Sequence, residues 1–333
     1  MKLTIASAHR YPDLARLFYR TVSRDVVPAF RSAGAEVSVI LFRDAKPASF
    51  PPEWFDGAIL EEPSTSCRDF LEFYDSVLLR DADFVLFVDA DVFLFDGAWA
   101  ASHLALFEDP RLAAVSLLSR TSQPGIFALL ARASAYRSLP PPALAPSYED
   151  LGAWPNAVNR QPGDRAAIAL RASGFRILEV PAREAREHVA DFHAATAVRV
   201  TRERVGDLLG QSFEALVARR LYLSMGAYDN ILLGALYQAL FGEPFAAAKD
   251  GVPLSGSVTA EALREAFASI RSREAFESLE SVLRRSRRAA CRLAAHEGVE
   301  LEIPRVLPTG RVLPARLKAA ARRLLGGAAM AAS

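Results

Sequence analysis

Five apolar residues, Phe84-Val85-Leu86-Phe87-Val88, run directly into Asp89-Ala90-Asp91, and the apolar run resumes at Val92-Phe93-Leu94-Phe95. An unbroken apolar run of this length suits a strand buried on both faces, the kind found in parallel sheets covered by helices. Two carboxylates interrupting it need a reason, because burying charge without compensation is costly. Ligands of open α/β sheets gather beyond the carboxyl ends of strands. Asp89 and Asp91 are therefore read as oxygen ligands for a hard divalent cation such as Mn²⁺ or Mg²⁺, which protein carboxylates commonly share with substrate phosphates. The plainer alternative is a turn that ends a strand, where Asp is frequent.

The segments around this one alternate. Leu3 to Ala6 reads as a strand, and Leu14, Leu17, Phe18 and Val22 follow at helical spacing. Pro28 should break or restart the helix and Gly34 should stop it, before a second strand over Val37 to Leu41. Ala58 to Leu60 is a short third strand, and Ser66 to Arg80 is a helix with Phe70, Phe73, Tyr74, Val77 and Leu78 on one face. Further strands are expected at Ala113 to Leu118 and Gly125 to Leu130. After a long proline-interrupted connection come a helix over Arg165 to Ser173, a stop at Gly174 and a strand over Phe175 to Val180. Such alternation predicts an α/β fold with a mixed, mostly parallel, Rossmann-like sheet flanked by helices. From about Thr201 the pattern is mainly helical, strongest over Phe213 to Phe241 and Ala260 to His296, so residues 1–200 are expected to form the catalytic domain and 201–333 a helical C-terminal appendage.

Composition narrows the function classes. Forty basic against 39 acidic residues leave a formal charge of +1, so no global field would draw the 333-residue chain to nucleic acid, and any anion site must be local. Cys67 and Cys291 are too few and too far apart for a disulfide framework or a thiolate metal site. With no signal-peptide pattern at the start and no apolar stretch long enough to span a bilayer, a cytoplasmic protein is expected. The basic segment Arg311 to Leu325 reads as an amphipathic helix with a solvated charged face, the alternative being peripheral contact with the inner face of an anionic membrane.

The segment Asp81-Ala82-Asp83-Phe84-Val85-Leu86-Phe87-Val88-Asp89-Ala90-Asp91, with the helix before it, resembles the GT-A glycosyltransferases, particularly their bacterial family-2-like branch. The resemblance covers about residues 1 to 200. It implies a nucleotide-binding half, an acceptor-binding half and an Asp-x-Asp motif that holds metal and donor diphosphate, here Asp89 and Asp91. A second matching stretch runs from Gly163-Asp164-Arg165 through Gly174-Phe175-Arg176-Ile177, similar to the family's segment of acidic residue, helix, glycine and strand. By that likeness Asp164 is the catalytic base, deprotonating an acceptor hydroxyl as it attacks the anomeric carbon with inversion. Gly163 stands where the family usually has Glu. An Asp opening a helix also serves as an N-cap, and Glu149-Asp150 is a competing acidic pair.

The resemblance further implies nucleotide contacts at Ser7, His9 and Arg10 after the first strand, a base-contacting acid at Asp44, donor-phosphate contact at Arg68, and a third metal ligand at His193. Each has a plainer alternative in loop polarity. Tyr148 and Trp154 could stack on an acceptor sugar, with packing of the loop as the alternative. The partners implied are a nucleoside-diphosphate sugar donor and a glycan, lipid-linked or small-molecule acceptor. Two rival classes are weighed. A sugar nucleotidyltransferase would show a glycine-rich phosphate loop where this chain has Ala6-Ser7-Ala8-His9-Arg10, and an inactive glycosyltransferase-like scaffold is kept in view by Gly163.

Overall fold

The computed structural model describes residues 1–43, 50–64, 69–118, 124–144, 162–192, 195–196, 221–245, 260–268, 270 and 273–306. In chain order the first half comprises β1 (Lys2–His9), α1 (Pro12–Thr21), a π-helical turn at Val22–Val26, α2 (Val27–Ser32), β2 (Glu36–Arg43), β3 (Ile59–Glu61), α3 (Phe70–Leu78), β4 (Phe84–Val88), β5 (Val92–Leu94) and α4 (Trp99–Ala105). Then follow β6 (Leu112–Leu118), β7 (Ala128–Arg132), α5 (Ala133–Arg137), α6 (Asp164–Ala172), β8 (Arg176–Glu179), α7 (Ala182–His188) and β9 (Val189–Asp191). The C-terminal region contributes the helices Leu221–Phe241, Ala260–Ala268 and Arg273–Glu297.

Seven strands form one sheet in the order β3-β2-β1-β4-β7-β6-β8. β1 runs parallel to β2 and β4, β2 to β3, and β6 to β8, while β7 is antiparallel to both its neighbours. Because the chain moves outward from β1 to β2 and β3, then returns to lay β4 on β1's other side, the strand order reverses between β1 and β4. In open α/β sheets the ligand crevice lies outside the carboxyl ends of the strands at such a reversal, here those of β1 and β4.

β4 shows why the sheet must be covered on both faces. All five of its residues are buried. Since side chains alternate across a strand, Phe84, Leu86 and Val88 join one hydrophobic cluster with α1, α2 and the C-terminal helices, whereas Val85 and Phe87 join a second with α3, α5 and α6. Local signals set the helix limits. Pro28 neither breaks nor restarts the helix, contrary to expectation: α1, the π-helical turn and α2 follow one another without interruption from Pro12 to Ser32, and the winding loosens to π-helical just before the proline, which has no N–H to donate. Gly34 follows α2 at φ +85°, a left-handed value that ends it. Asp69 caps α3 by accepting from the Leu71 and Glu72 amides at 2.9 and 3.0 Å.

The C-terminal helices share the first cluster. Ala227, Leu232, Leu233 and Leu236 pack in it together with Leu283, Ala290 and Leu293. Arg16 of α1 lies over the Trp54 ring at 4.2 Å and the Phe241 ring at 4.1 Å, donates to the Tyr237 hydroxyl at 3.0 Å and pairs with Glu243 at 2.7 Å. Glu297, its side chain buried, receives Arg20 and Arg24 at 2.9 and 2.6 Å. The boundary expected near residue 200 lies outside the described residues. Among those described, no helix is long and apolar enough to cross a membrane.

β7 starts at Ala128, not Gly125: the Ile126 amide donates to the Pro162 carbonyl at 3.1 Å instead of joining the ladder. The apolar run that resumes after Asp91 makes a strand of its own, which the sequence reading did not assign. Val92–Leu94 leave the main sheet and pair antiparallel with Val189–Asp191 in a second, two-stranded sheet.

Candidate active site

Where β4 ends, the Val92 amide donates to the Asp89 carbonyl at 3.1 Å, closing a four-residue turn over Asp89-Ala90-Asp91-Val92. The Asp89 amide donates to the Phe127 carbonyl at 2.9 Å, and the Asp89 side chain accepts the Ala90 amide at 2.9 Å. Asp89 is partly exposed at the crevice, whereas Asp91 is only 1% exposed. The Asp91 backbone is held by the Phe192 amide at 3.0 Å, and its Oδ2 accepts the Thr196 hydroxyl at 3.1 Å. Asp191 stands opposite Val92 in the small sheet. The two carboxylates thus occupy a turn linking the sheets, one facing the crevice and one sunk beneath it.

The neighbouring strand end is built from polar groups turned inward. The Ser7 hydroxyl donates to the Val88 carbonyl at 2.8 Å, and the Tyr74 hydroxyl reaches the same oxygen at 3.2 Å while accepting the Ala8 amide at 3.0 Å. Burial, reinforced by the negative charge of Asp89, pushes the Tyr74 phenol far above its usual range, so it stays a donor. His9 is 1% exposed, packs against Phe18 at 5.0 Å, and has neither ring nitrogen hydrogen-bonded. Burial pushes its pKa down to about 3, which keeps the imidazole neutral. Arg10 is half-buried just beyond.

Asp164 arrives at the same end through backbone contacts. The Ile126 amide donates to the Pro162 carbonyl at 3.1 Å, one residue from Phe127, whose carbonyl takes the Asp89 amide. The Gly163 amide donates to the Leu144 carbonyl at 2.9 Å, and the Leu144 amide in turn donates to Asp75 at 3.0 Å. Gly163 has φ +94° and a Cβ there would lie 3.1 Å from the Ile126 side chain, so the position demands glycine and could not take the Glu of the family pattern without strain. Gly163 is also the N-cap, which puts Asp164 at the first helical position, 5% exposed, with its carboxylate accepting the Arg165 amide at 2.6 Å. The alternative of Asp164 as the N-cap is thereby corrected.

At this end of the sheet the Ser7 hydroxyl holds the Val88 carbonyl next to Asp89, and the Pro162 carbonyl shortly before Asp164 is tied through the Ile126 amide to the segment whose Phe127 carbonyl takes the Asp89 amide. Asp44, Arg68 and His193 lie outside the described residues, as do Tyr148, Glu149, Asp150, Trp154 and 311–325. Among the described residues no three or more His, Cys, Asp or Glu side chains gather into a ready-made cage. The donor set nonetheless fits a hard cation: two carboxylates on one turn, one of them buried beside a neutral hydroxyl, suit an ion whose other positions are filled by phosphate oxygens and water. Sequence reasoning placed Tyr74 only on an apolar helix face and missed Thr196, which sits in Ala194-Ala195-Thr196-Ala197 with no local mark of a role.

No family model matches the chain, and no curated protein matches it. Among solved structures, a mannosyltransferase from Pyrobaculum calidifontis in complex with GDP-Man and Mn²⁺ is similar over 99% of this chain and 80% of its own, at 15% identity and a TM-score of 0.39. Glucosyl-3-phosphoglycerate synthase from Mycobacterium tuberculosis, in complex with Mn²⁺ and UDP-glucose, is similar over 54% of this chain and 68% of its own, at 12% identity and 0.36. S. aureus TarS, residues 1–349, is similar over 94% of this chain and 100% of its own, at 12% identity and 0.32. The sheet described above is seven-stranded, mixed, mostly parallel and flanked by helices.

Proposed function

We propose that the protein is a metal-dependent glycosyltransferase that moves a sugar from a nucleoside-diphosphate donor to an acceptor hydroxyl with inversion. The observation that carries this reading is the two-carboxylate turn at the strand-order reversal between β1 and β4, with Asp164 tied to the same end by the Phe127 and Pro162 carbonyls. Asp89 and Asp91 would hold Mn²⁺ or Mg²⁺, joined by His193. When bound, the cation neutralises charge that builds on the departing diphosphate.

The chain's own groups supply the rest. Ser7 and the neutral His9 form the floor of the donor crevice, with Arg10, Asp44 and Arg68 at the nucleotide and phosphates. The Asp164 carboxylate takes the proton of the acceptor hydroxyl, and its rigid placement by Gly163 keeps that oxygen in line with the anomeric carbon. The C-terminal helices, packed on the same core as α1, shape the acceptor side.

A panel of UDP-, GDP- and dTDP-sugars with Mn²⁺ tests the reading. Nucleoside diphosphate should be released from at least one donor, and release should vanish on chelation and in Asp89→Asn. Release that is indifferent to chelator and to that substitution would contradict it.

A further inference from the structure

The buried carboxylate of Asp91 is held from a direction that the donor-binding half does not supply. Its Oδ2 accepts the Thr196 hydroxyl at 3.1 Å. The residue before Thr196, Ala195, is fully buried in the core, its amide donates to the Phe192 carbonyl at 2.9 Å, and its carbonyl accepts the Asn230 side-chain amide at 3.0 Å. The same Nδ2 also donates to the Gly226 carbonyl at 2.8 Å, one turn earlier in its own helix, so both of its N–H bonds are directed. That helix, Leu221–Phe241, is in turn fastened to α1 by Arg16.

We propose that Thr196 is a positioning residue for Asp91 and that Asn230 holds Thr196 in place, so that the C-terminal helical region sets the geometry of the cation-binding carboxylate. The inference rests on the proposed role of Asp91 as a metal ligand. Three physical points support it. A β-branched side chain has little χ1 freedom, so the Thr196 hydroxyl is a stiff donor. A carboxylate offers about four lone-pair directions, so the hydroxyl on Oδ2 restricts its rotation while occupying only one of them. A neutral hydroxyl also adds no positive charge beside the carboxylate, whereas Lys or Arg in its place would compete with a cation.

The test is a titration of the full-length chain with Mn²⁺ in the presence of UDP or GDP, with free Mn²⁺ followed by electron paramagnetic resonance. Thr196→Val keeps the shape and removes the hydroxyl, and Thr196→Ser does the reverse. Groups that orient metal ligands typically matter by about 10–100-fold in metal affinity, so Val should weaken Mn²⁺ binding by about tenfold, Ser should stay near the parent, and Asn230→Leu should fall between. A packing role alone would favour Val over Ser and lower thermal stability without moving the Mn²⁺ affinity. Parent-like affinity in the Val variant, or equal loss in Ser and Val, overturns the proposal. Asp91→Asn separates the two claims: lost binding there with unchanged binding in Val removes only the role of Thr196, whereas unchanged binding in Asp91→Asn, or no binding by the parent, removes the metal site and the inference with it. If the Val variant fails to fold, Thr196→Ala read against Thr196→Ser reports on the same hydroxyl.

Discussion

The turn at Asp89–Asp91 and the helical region from Leu221 to Val306 are built on opposite plans. The turn places two charges where an apolar strand ends, a local arrangement that only a ligand or a dense set of donors makes tolerable. The helices bury apolar faces, set charges in surface pairs such as Arg284 with Glu280, and have the buried Glu297 carboxylate met by Arg20 and Arg24. The difference teaches where function can be read locally. A site that violates the packing rule announces itself, while a scaffold that obeys the rule hides its contribution until its contacts are known. Asn230 is the case in point, an ordinary helix residue until its amide is seen on the Ala195 carbonyl.

The sharpest break in that contrast is expected at Asp164. Asn there keeps the side-chain size and removes the basic oxygen, so sugar transfer should fall by about 10²–10⁴-fold while Mn²⁺-dependent nucleotide affinity stays near the parent. Because Gly163 rather than Asp164 is the N-cap, the substitution is not a test of capping. Near-parental transfer by a folded Asp164→Asn would move the base elsewhere.

A smaller effect is expected one residue earlier. Gly163→Ala meets both the φ of +94° and the Ile126 side chain, and should cost about 1–3 kcal/mol of stability and slow transfer by shifting Asp164. Chemical denaturation checks the first part, and an unchanged midpoint would show that the loop yields freely. On the helical side, Arg16→Ala removes two ring contacts and two hydrogen bonds. A loss of about 1–2 kcal/mol, a few degrees in melting temperature, is expected. If Arg16→Ala were silent, the fastening of Leu221–Phe241 would lie in the apolar core alone.

At neutral pH the smallest expected effect concerns His9, whose contribution changes only on acidification. Its folded pKa of about 3 lies below that of an unfolded histidine, so the unfolded chain binds the extra proton first as pH falls. Stability from this group is complete above about pH 6.5 and declines toward pH 3, with a slope of at most about 1.4 kcal/mol per pH unit. Denaturation midpoints between pH 7 and 4.5 for the parent and His9→Leu should show a shallower slope in the variant; identical slopes would mean that His9 is protonated in the folded state.

Much of the seven-stranded sheet and its helices was legible because the signals are local. The run Phe84 to Val88, the stop at Gly34 and the helix–glycine–strand order from Asp164 to Ile177 all became the elements they suggested. What was not legible depends on distant partners. The run at Val92–Phe95 reads only as apolar residues resuming after Asp91, and it is Val189–Asp191, nearly a hundred residues away, that draws Val92–Leu94 into a second sheet. The stretch Ala260 to His296 reads as one helical segment, yet it comprises Ala260–Ala268 and Arg273–Glu297. Of the site, Asp89 and Asp91 stood out as charges in an apolar run and Ser7 by its place at the first strand, whereas the inward-turned hydroxyls of Tyr74 and Thr196 carry no mark in a single sequence. They are set by which carbonyl or carboxylate lies opposite.

The central claim is that the turn after β4 binds a nucleoside diphosphate through a divalent cation. Calorimetric titration of UDP, GDP and dTDP into the parent and Asp91→Asn, each with Mn²⁺ and with chelator, tests it most directly. At least one nucleotide should bind the parent only when Mn²⁺ is present, and that binding should be lost in Asp91→Asn while its thermal unfolding remains cooperative. Nucleotide binding that is the same with chelator as with Mn²⁺, or the same in Asp91→Asn as in the parent, would contradict the account.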